Sequence, residues 1–127
     1  MTHHPKAARL HKRRRAYFRG RWAELAAATL LRAKGYRILA RGYRRPVGEV
    51  DIIARRGRVL VAAEVKSRAR FADAIEAISP RQRRRVSRAL EAFLQERPDL
   101  YGLDVRFDVL LVTSFRRLPQ HIQAAWE

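Results

Sequence analysis

Residues 49–66 read Glu-Val-Asp-Ile-Ile-Ala-Arg-Arg-Gly-Arg-Val-Leu-Val-Ala-Ala-Glu-Val-Lys. Two β-rich runs flank Arg56-Gly57, and that dipeptide predicts a tight hairpin turn. With those two residues as the loop, Glu49 faces Glu64 and Asp51 faces Ala62. Directly opposed residues share a face of the sheet, as do residues two apart on one strand. Glu49, Asp51, Glu64 and Lys66 are therefore expected on one side, with Asp51 and Glu64 on a diagonal of roughly 7–8 Å. A divalent cation between the two carboxylates can bridge that gap. Val59, Val61, Ala63 and Val65 are expected on the opposite, core-facing side.

The rest of the chain builds around this hairpin. Upstream, Tyr17 to Lys34 is rich in Ala and Leu and reads as a helix, with Gly35 in the C-terminal cap position. Trp22, Leu25, Ala26, Thr29 and Ala33 form one apolar stripe on it. Ala28 and Leu31 lie on the other side near Glu24, its single acid, and the helix is expected to be covered on more than one side. Tyr36 to Tyr43 predicts a strand, and Pro46-Val47-Gly48 marks the turn into the hairpin. Downstream, Arg68 to Ile78 reads as irregular or as a short helical turn. Ser79, Pro80 and Gln82 then supply an N-cap, a first-turn proline and a capping box. They open a second helix whose buried stripe is Val86, Ala89, Leu90, Phe93 and Leu94, and Pro98 and Gly102 end it. Leu103 to Thr113 alternates as a fourth strand, with Val105, Phe107, Val109 and Leu111 on one side. Leu118 to Glu127 adds a short final element anchored by Ile122 and Trp126. The order of helix, three strands, helix, strand and tail predicts one α/β domain over residues 16–127, preceded by a flexible basic arm over residues 1–15.

Composition narrows the partners. The chain has 127 residues and carries 29 Lys plus Arg against 12 Asp plus Glu, a formal charge of +17. Such an imbalance repels itself in the compact state, and a polyanion, nucleic acid above all, is the usual reason to carry it. The arm contributes Lys6, Arg9, Lys12, Arg13, Arg14 and Arg15. The second helix contributes Arg81, Arg83, Arg84, Arg85 and Arg88 near its start, where cations oppose the helix dipole by about 0.3–1 kcal/mol each. Helix stability does not explain that placement, whereas a phosphate backbone running past the helix does. With no cysteine, disulfides and thiolate metal sites are excluded. No apolar run reaches the roughly 18–20 residues a membrane span needs, and no signal-peptide core follows the basic start. A cytoplasmic protein with no membrane partner and no small-molecule cofactor is expected.

Phosphodiester hydrolysis needs charge stabilisation on the phosphoryl group and an activated water. Asp51 and Glu64 offer hard oxygen ligands suited to Mg²⁺ or Mn²⁺. Lys66 can orient the water or meet developing negative charge. Each residue also has a plainer reading: Glu64 and Lys66 as a surface ion pair worth about 0–1 kcal/mol, Asp51 as a turn-proximal acid, Glu24 as a solvated helix residue, Gln82 as a cap. Glu49 opposite Glu64 is the argument against them, because like charges there destabilise unless a cation intervenes. Glu49 is accordingly the weakest of the proposed ligands, since a local twist can pull it away.

Taken together, these residues resemble the PD-(D/E)xK nuclease superfamily, which shares the restriction-endonuclease-like fold. More closely, the chain resembles the YraN family of small bacterial proteins, regarded as endonucleases by similarity. The signature stands here as Gly48-Glu49-Val50-Asp51 and Glu64-Val65-Lys66-Ser67. It is accompanied by Ala23-Glu24, Lys34-Gly35-Tyr36, Arg41-Gly42-Tyr43-Arg44, Ser79-Pro80-Arg81, Arg106-Phe107-Asp108-Val109 and His121-Ile122. The resemblance implies an αβββαβ core with a mixed central sheet flanked by helices, and metal-dependent phosphodiester cleavage by Asp51, Glu64 and Lys66. It adds Glu24 as a further metal ligand on the first helix. Three departures remove no ligand: Val50 for proline, Ala23 for glycine and Gly42 for asparagine. The favoured activity is endonucleolytic cleavage of DNA, with branched or structured DNA among the substrates, and the sequence leaves DNA and RNA undistinguished. The alternative is a nucleic-acid-binding protein that keeps the fold without catalysis. A junction substrate is compatible with a homodimer, which no sequence feature establishes.

Overall fold

Five strands lie side by side in chain order, and two further helical layers cover them. The computed structural model describes residues 20–68, 70–114 and 116–127. The basic arm expected over residues 1–15, with Arg13, Arg14 and Arg15, lies outside these residues, as does the expected helix start at Tyr17. Residues 20–33 form helix α1. The strands are β1 (Arg37–Arg45), β2 (Gly48–Arg56), β3 (Val59–Lys66), β4 (Asp104–Leu111) and β5 (Gln120–Trp126). Between β3 and β4 come α2 (Phe71–Glu76), α3 (Pro80–Glu96) and a 3₁₀ turn at Pro98–Leu100. This crossover lets β4 run parallel to β3, while every other neighbouring pair is antiparallel. The tail is therefore a full strand, with Ile122 beside Val109 and the Trp126 ring stacked on Phe107 at 5.3 Å.

The central hairpin turns one residue later than expected. Arg56 pairs with Val59 and Ile52 with Ala63, so the loop is Gly57-Arg58, led by Gly57 at φ +61°. This slides the register by two residues. A two-residue slide leaves every side chain on its face, which is why the hydrophobic pattern could not distinguish the two turns. Continuing the ladder one step past Ile52 and Ala63 brings Asp51 opposite Glu64, not Ala62.

The two sides of the sheet are covered differently. Ala27, Ala28 and Leu31 of α1 pack, with Tyr36, on Ile52, Ala54, Val61, Ala63 and Leu110, and Ala23 is buried as well. The expected stripe of Trp22, Leu25, Ala26, Thr29 and Ala33 instead faces outward. It borders a second cavity of about 370 Å³ with Arg117, Leu118 and Pro119, and Leu25 is 48% exposed. Small alanines let the helix lie close to a sheet that already supplies the bulky side chains. On the other side Val86, Ala89, Leu90 and Phe93 of α3 pack with Tyr43, Val50, Ile53, Leu60, Ala62 and Val109. Here Gly48 is required by space: a Cβ on it would lie 1.9 Å from the Arg85 carbonyl oxygen. On β4, Val109 and Leu111 of the expected side are buried, whereas Val105 near the strand start is exposed.

Alternation breaks once along β2. Val50 joins the α3 side and Ile52 the α1 side, although they stand two apart. Gly42, at φ +60°, lies across from this break, between the pairs Arg41↔Ile52 and Tyr43↔Val50. Asp51 occupies the break itself.

Candidate active site

Past Ile52↔Ala63, side chains replace backbone pairing in the hairpin. The Val65 N–H donates to Asp51 Oδ2 at 2.8 Å, and the Asp51 N–H donates to Glu64 Oε1 at 3.4 Å. The two acids are thus brought together, but not from the single face expected of them. Asp51 borders a cavity of about 260 Å³ with Val65 and with Gly20, Arg21 and Glu24 of α1. Glu64, 3% exposed, receives Gln82 Nε2 of α3 at 3.1 Å on its other oxygen.

Gln82 therefore has two tasks. Its N–H is capped by Ser79 Oγ at 3.1 Å, which is half of the expected capping box. Its amide reaches Glu64 instead of returning to the cap. The signal available in the sequence was its position four residues before Val86, at the leading end of the buried stripe, where an amide needs a buried partner.

Burial sets the electrostatics. It pushes Glu64 up to about 8, helped by the negative charge of Asp51, against the pull of Lys66. Burial also raises Asp51, opposed by the Val65 N–H and Lys66. Two adjacent carboxyls in a poorly solvated place resist ionising together. Lys66 closes β3 beside Leu111, and its charge acts on both acids.

The other candidates separate. Glu24 lines the Asp51 cavity and lies 3.4 Å from Arg41 Nε. Glu49 is held by Arg85 of α3, with Nη2 2.7 Å from its Oε2, and this hydrogen bonding lowers the Glu49 carboxyl below its ordinary range. The expected opposition of Glu49 and Glu64 does not arise, because the register slides and Arg85 turns Glu49 toward α3. Among the described residues no group of three or more His, Cys, Asp or Glu side chains has the spacing of a metal cage. The pair itself fits a hard divalent cation, as two oxygen donors whose mutual repulsion such an ion relieves.

The five arginines of α3 divide in the same way. Arg83 Nε donates to the Ile78 carbonyl at 3.2 Å and its guanidinium lies 5.8 Å from the Trp126 ring, while Arg85 is bound to Glu49. Arg81, Arg84 and Arg88 are exposed, and their spacing places them on one helix face.

A mixed five-stranded sheet flanked by helices is consistent with a restriction-endonuclease-like core. No helix among the described residues is long and apolar enough to cross a membrane. The chain belongs to the family described as Uncharacterised protein family UPF0102, whose profile matches residues 23–112. It is 47% identical over 126 residues to a UPF0102 protein of Rhodopseudomonas palustris strain HaA2, covering 99% of this chain and 95% of the relative. It is 49% identical over 114 residues to one of Maricaulis maris, covering 90% and 89% of the two chains. A UPF0102 protein of Paramagnetospirillum magneticum is 51% identical over 112 residues, covering 85% and 86%.

Proposed function

We propose that this protein is a metal-dependent endonuclease that hydrolyses phosphodiester bonds in DNA, structured or branched DNA among them. The observation that carries this reading is the adjoining pair of half-buried Asp51 and buried Glu64 at the open end of the hairpin, with Lys66 beside it. Asp51 and Glu64 would hold Mg²⁺ or Mn²⁺, with Glu24 on the same cavity. When bound, such an ion neutralises phosphoryl charge and lowers the pKa of water. Gln82 fixes the Glu64 carboxylate, so that its second oxygen keeps one orientation. The Lys66 ammonium orients the attacking water or meets charge developing on the phosphate. Arg81, Arg84 and Arg88 grip the backbone from the exposed face of α3. The charge of +17 and the likeness of Gly48 to Asp51 and Glu64 to Ser67 to the YraN and PD-(D/E)xK signatures support the same reading.

Asp51→Ala is expected to abolish Mn²⁺-dependent cleavage while DNA binding survives or tightens, as measured on single-stranded, duplex, flap and junction substrates. A second reading, nucleic-acid binding without catalysis, is favoured by one observation: among the described residues no third carboxylate completes a cage around the pair. Binding without cleavage of any of those substrates, with either metal, would establish it.

A further inference from the structure

A second polar constellation lies at the far end of α1, and the acid pair makes no use of it. Asp108 of β4 is fully buried and accepts four hydrogen bonds. They come from Arg106 Nε and Nη2, both at 2.8 Å, from His121 Nε2 at 2.7 Å and from the Ala124 N–H at 3.0 Å. Ala124 stands at φ 50°, a conformation rare for alanine, and its N–H completes the set of donors around the carboxylate. A carboxylate only accepts, so His121 carries its proton on Nε2 and leaves Nδ1 bare. Lys34 Nζ, 2.6 Å away, donates to that Nδ1.

Arg56 joins from the hairpin turn. Its Nη1 donates to the Lys34 carbonyl at 3.2 Å, and its guanidinium lies 4.5 Å from the centre of the Tyr36 ring. Arg106 donates to the hydroxyl of the same tyrosine. The cluster holds three basic side chains, Lys34, Arg56 and Arg106, and one carboxylate, Asp108. Asp108 pairs with Arg106, and among the described residues neither Lys34 nor Arg56 has a carboxylate partner. The C-terminal end of a helix favours nearby cations, which accounts for their closeness to its carbonyls. It does not account for a buried acid and imidazole that hold the ammonium from behind.

We propose that Lys34 and Arg56 form a second phosphate-binding site for nucleic acid, held in place by Asp108, His121 and Tyr36. This rests on the nucleic-acid reading above and extends its footprint. Gly20 borders the Asp51 cavity, and Lys34 follows it by about 20 Å along α1 at 1.5 Å per residue. That is roughly six nucleotides along one strand, well away from the scissile phosphate.

The test is the salt dependence of binding by the full chain, with a labelled DNA duplex from about 50 to 200 mM salt. Each lost phosphate contact lowers the slope of log K against log salt by about one. Lys34→Ala with Arg56→Ala is expected to lower it by about two, with the melting temperature followed alongside. His121→Leu, which removes the support, is expected to lower it by about one. His121→Gln, whose amide can donate to Asp108 and accept from Lys34, is expected to restore it. If His121→Leu does not fold, the Lys34/Arg56 variant decides alone. An unchanged slope in that variant, with a slope that falls in Arg81/Arg84/Arg88→Ala, overturns the second site and leaves the nucleic-acid reading standing. Wild-type protein that binds no DNA overturns both.

Discussion

Glu64 is the proposed cation ligand, and holding it buried has a cost. Its carboxyl ordinarily titrates near 4.5 and is raised to about 8 by burial and by Asp51. Between those values the folded chain binds a proton that the unfolded chain has lost, so stability falls as pH rises through that window. Asp51 is shifted in the same direction. Thermal melts without metal should therefore show a melting temperature that declines from about pH 5 to pH 8. The decline should be shallower in Glu64→Gln, which cannot ionise, and added Mg²⁺ should offset it in the wild type only. Equal slopes in the two proteins would show that Glu64 is ionised throughout. At this scale the sequence was partly legible. Asp51, Glu64 and Lys66 stand out by type and spacing, and the structure brings the two acids together. Gln82 and the grip of Arg85 on Glu49 were hidden, because both depend on where α3 crosses the sheet.

At the scale of elements, the approach of α3 to β2 aligns the site. Gly48 permits that approach, since any Cβ would enter the Arg85 carbonyl. Gly48→Ala should push α3 away and displace Gln82 from Glu64 and Arg85 from Glu49 together. The expected loss is about 1–3 kcal/mol by urea unfolding, with a fall in Mn²⁺ affinity larger than that of Gln82→Ala alone. The cap at Ser79 and Pro80 was readable because local chemistry decides it. The hairpin turn was not, because Arg56-Gly57 and Gly57-Arg58 differ by two residues of register and preserve the same facing. On α1 the two apolar sides were legible, but not which of them meets the sheet. Both sides of that helix carry apolar residues, and only the closeness of the sheet selects the alanine side.

For the whole molecule, charge and fold give one picture. The order of strands and helices was visible because each element announces its own period. The excess of +17 raised the expectation of a polyanion without saying where one would lie. The structure divides the α3 arginines into Arg83 and Arg85, which serve the fold, and Arg81, Arg84 and Arg88, which face solvent. Replacing the outward three by alanine should weaken DNA binding across sequences and lower the salt slope by about three, with little change in melting temperature. A large loss of stability with an unchanged slope would mean that those side chains brace the helix.

The most direct test of the account is a crystal of the protein soaked in Mn²⁺ and read by anomalous scattering. The account predicts a peak about 2.1 Å from carboxylate oxygens of both Asp51 and Glu64, absent from Asp51→Asn crystals treated alike. Mn²⁺ density found only elsewhere, with the wild-type pair unchanged by the soak, would contradict it.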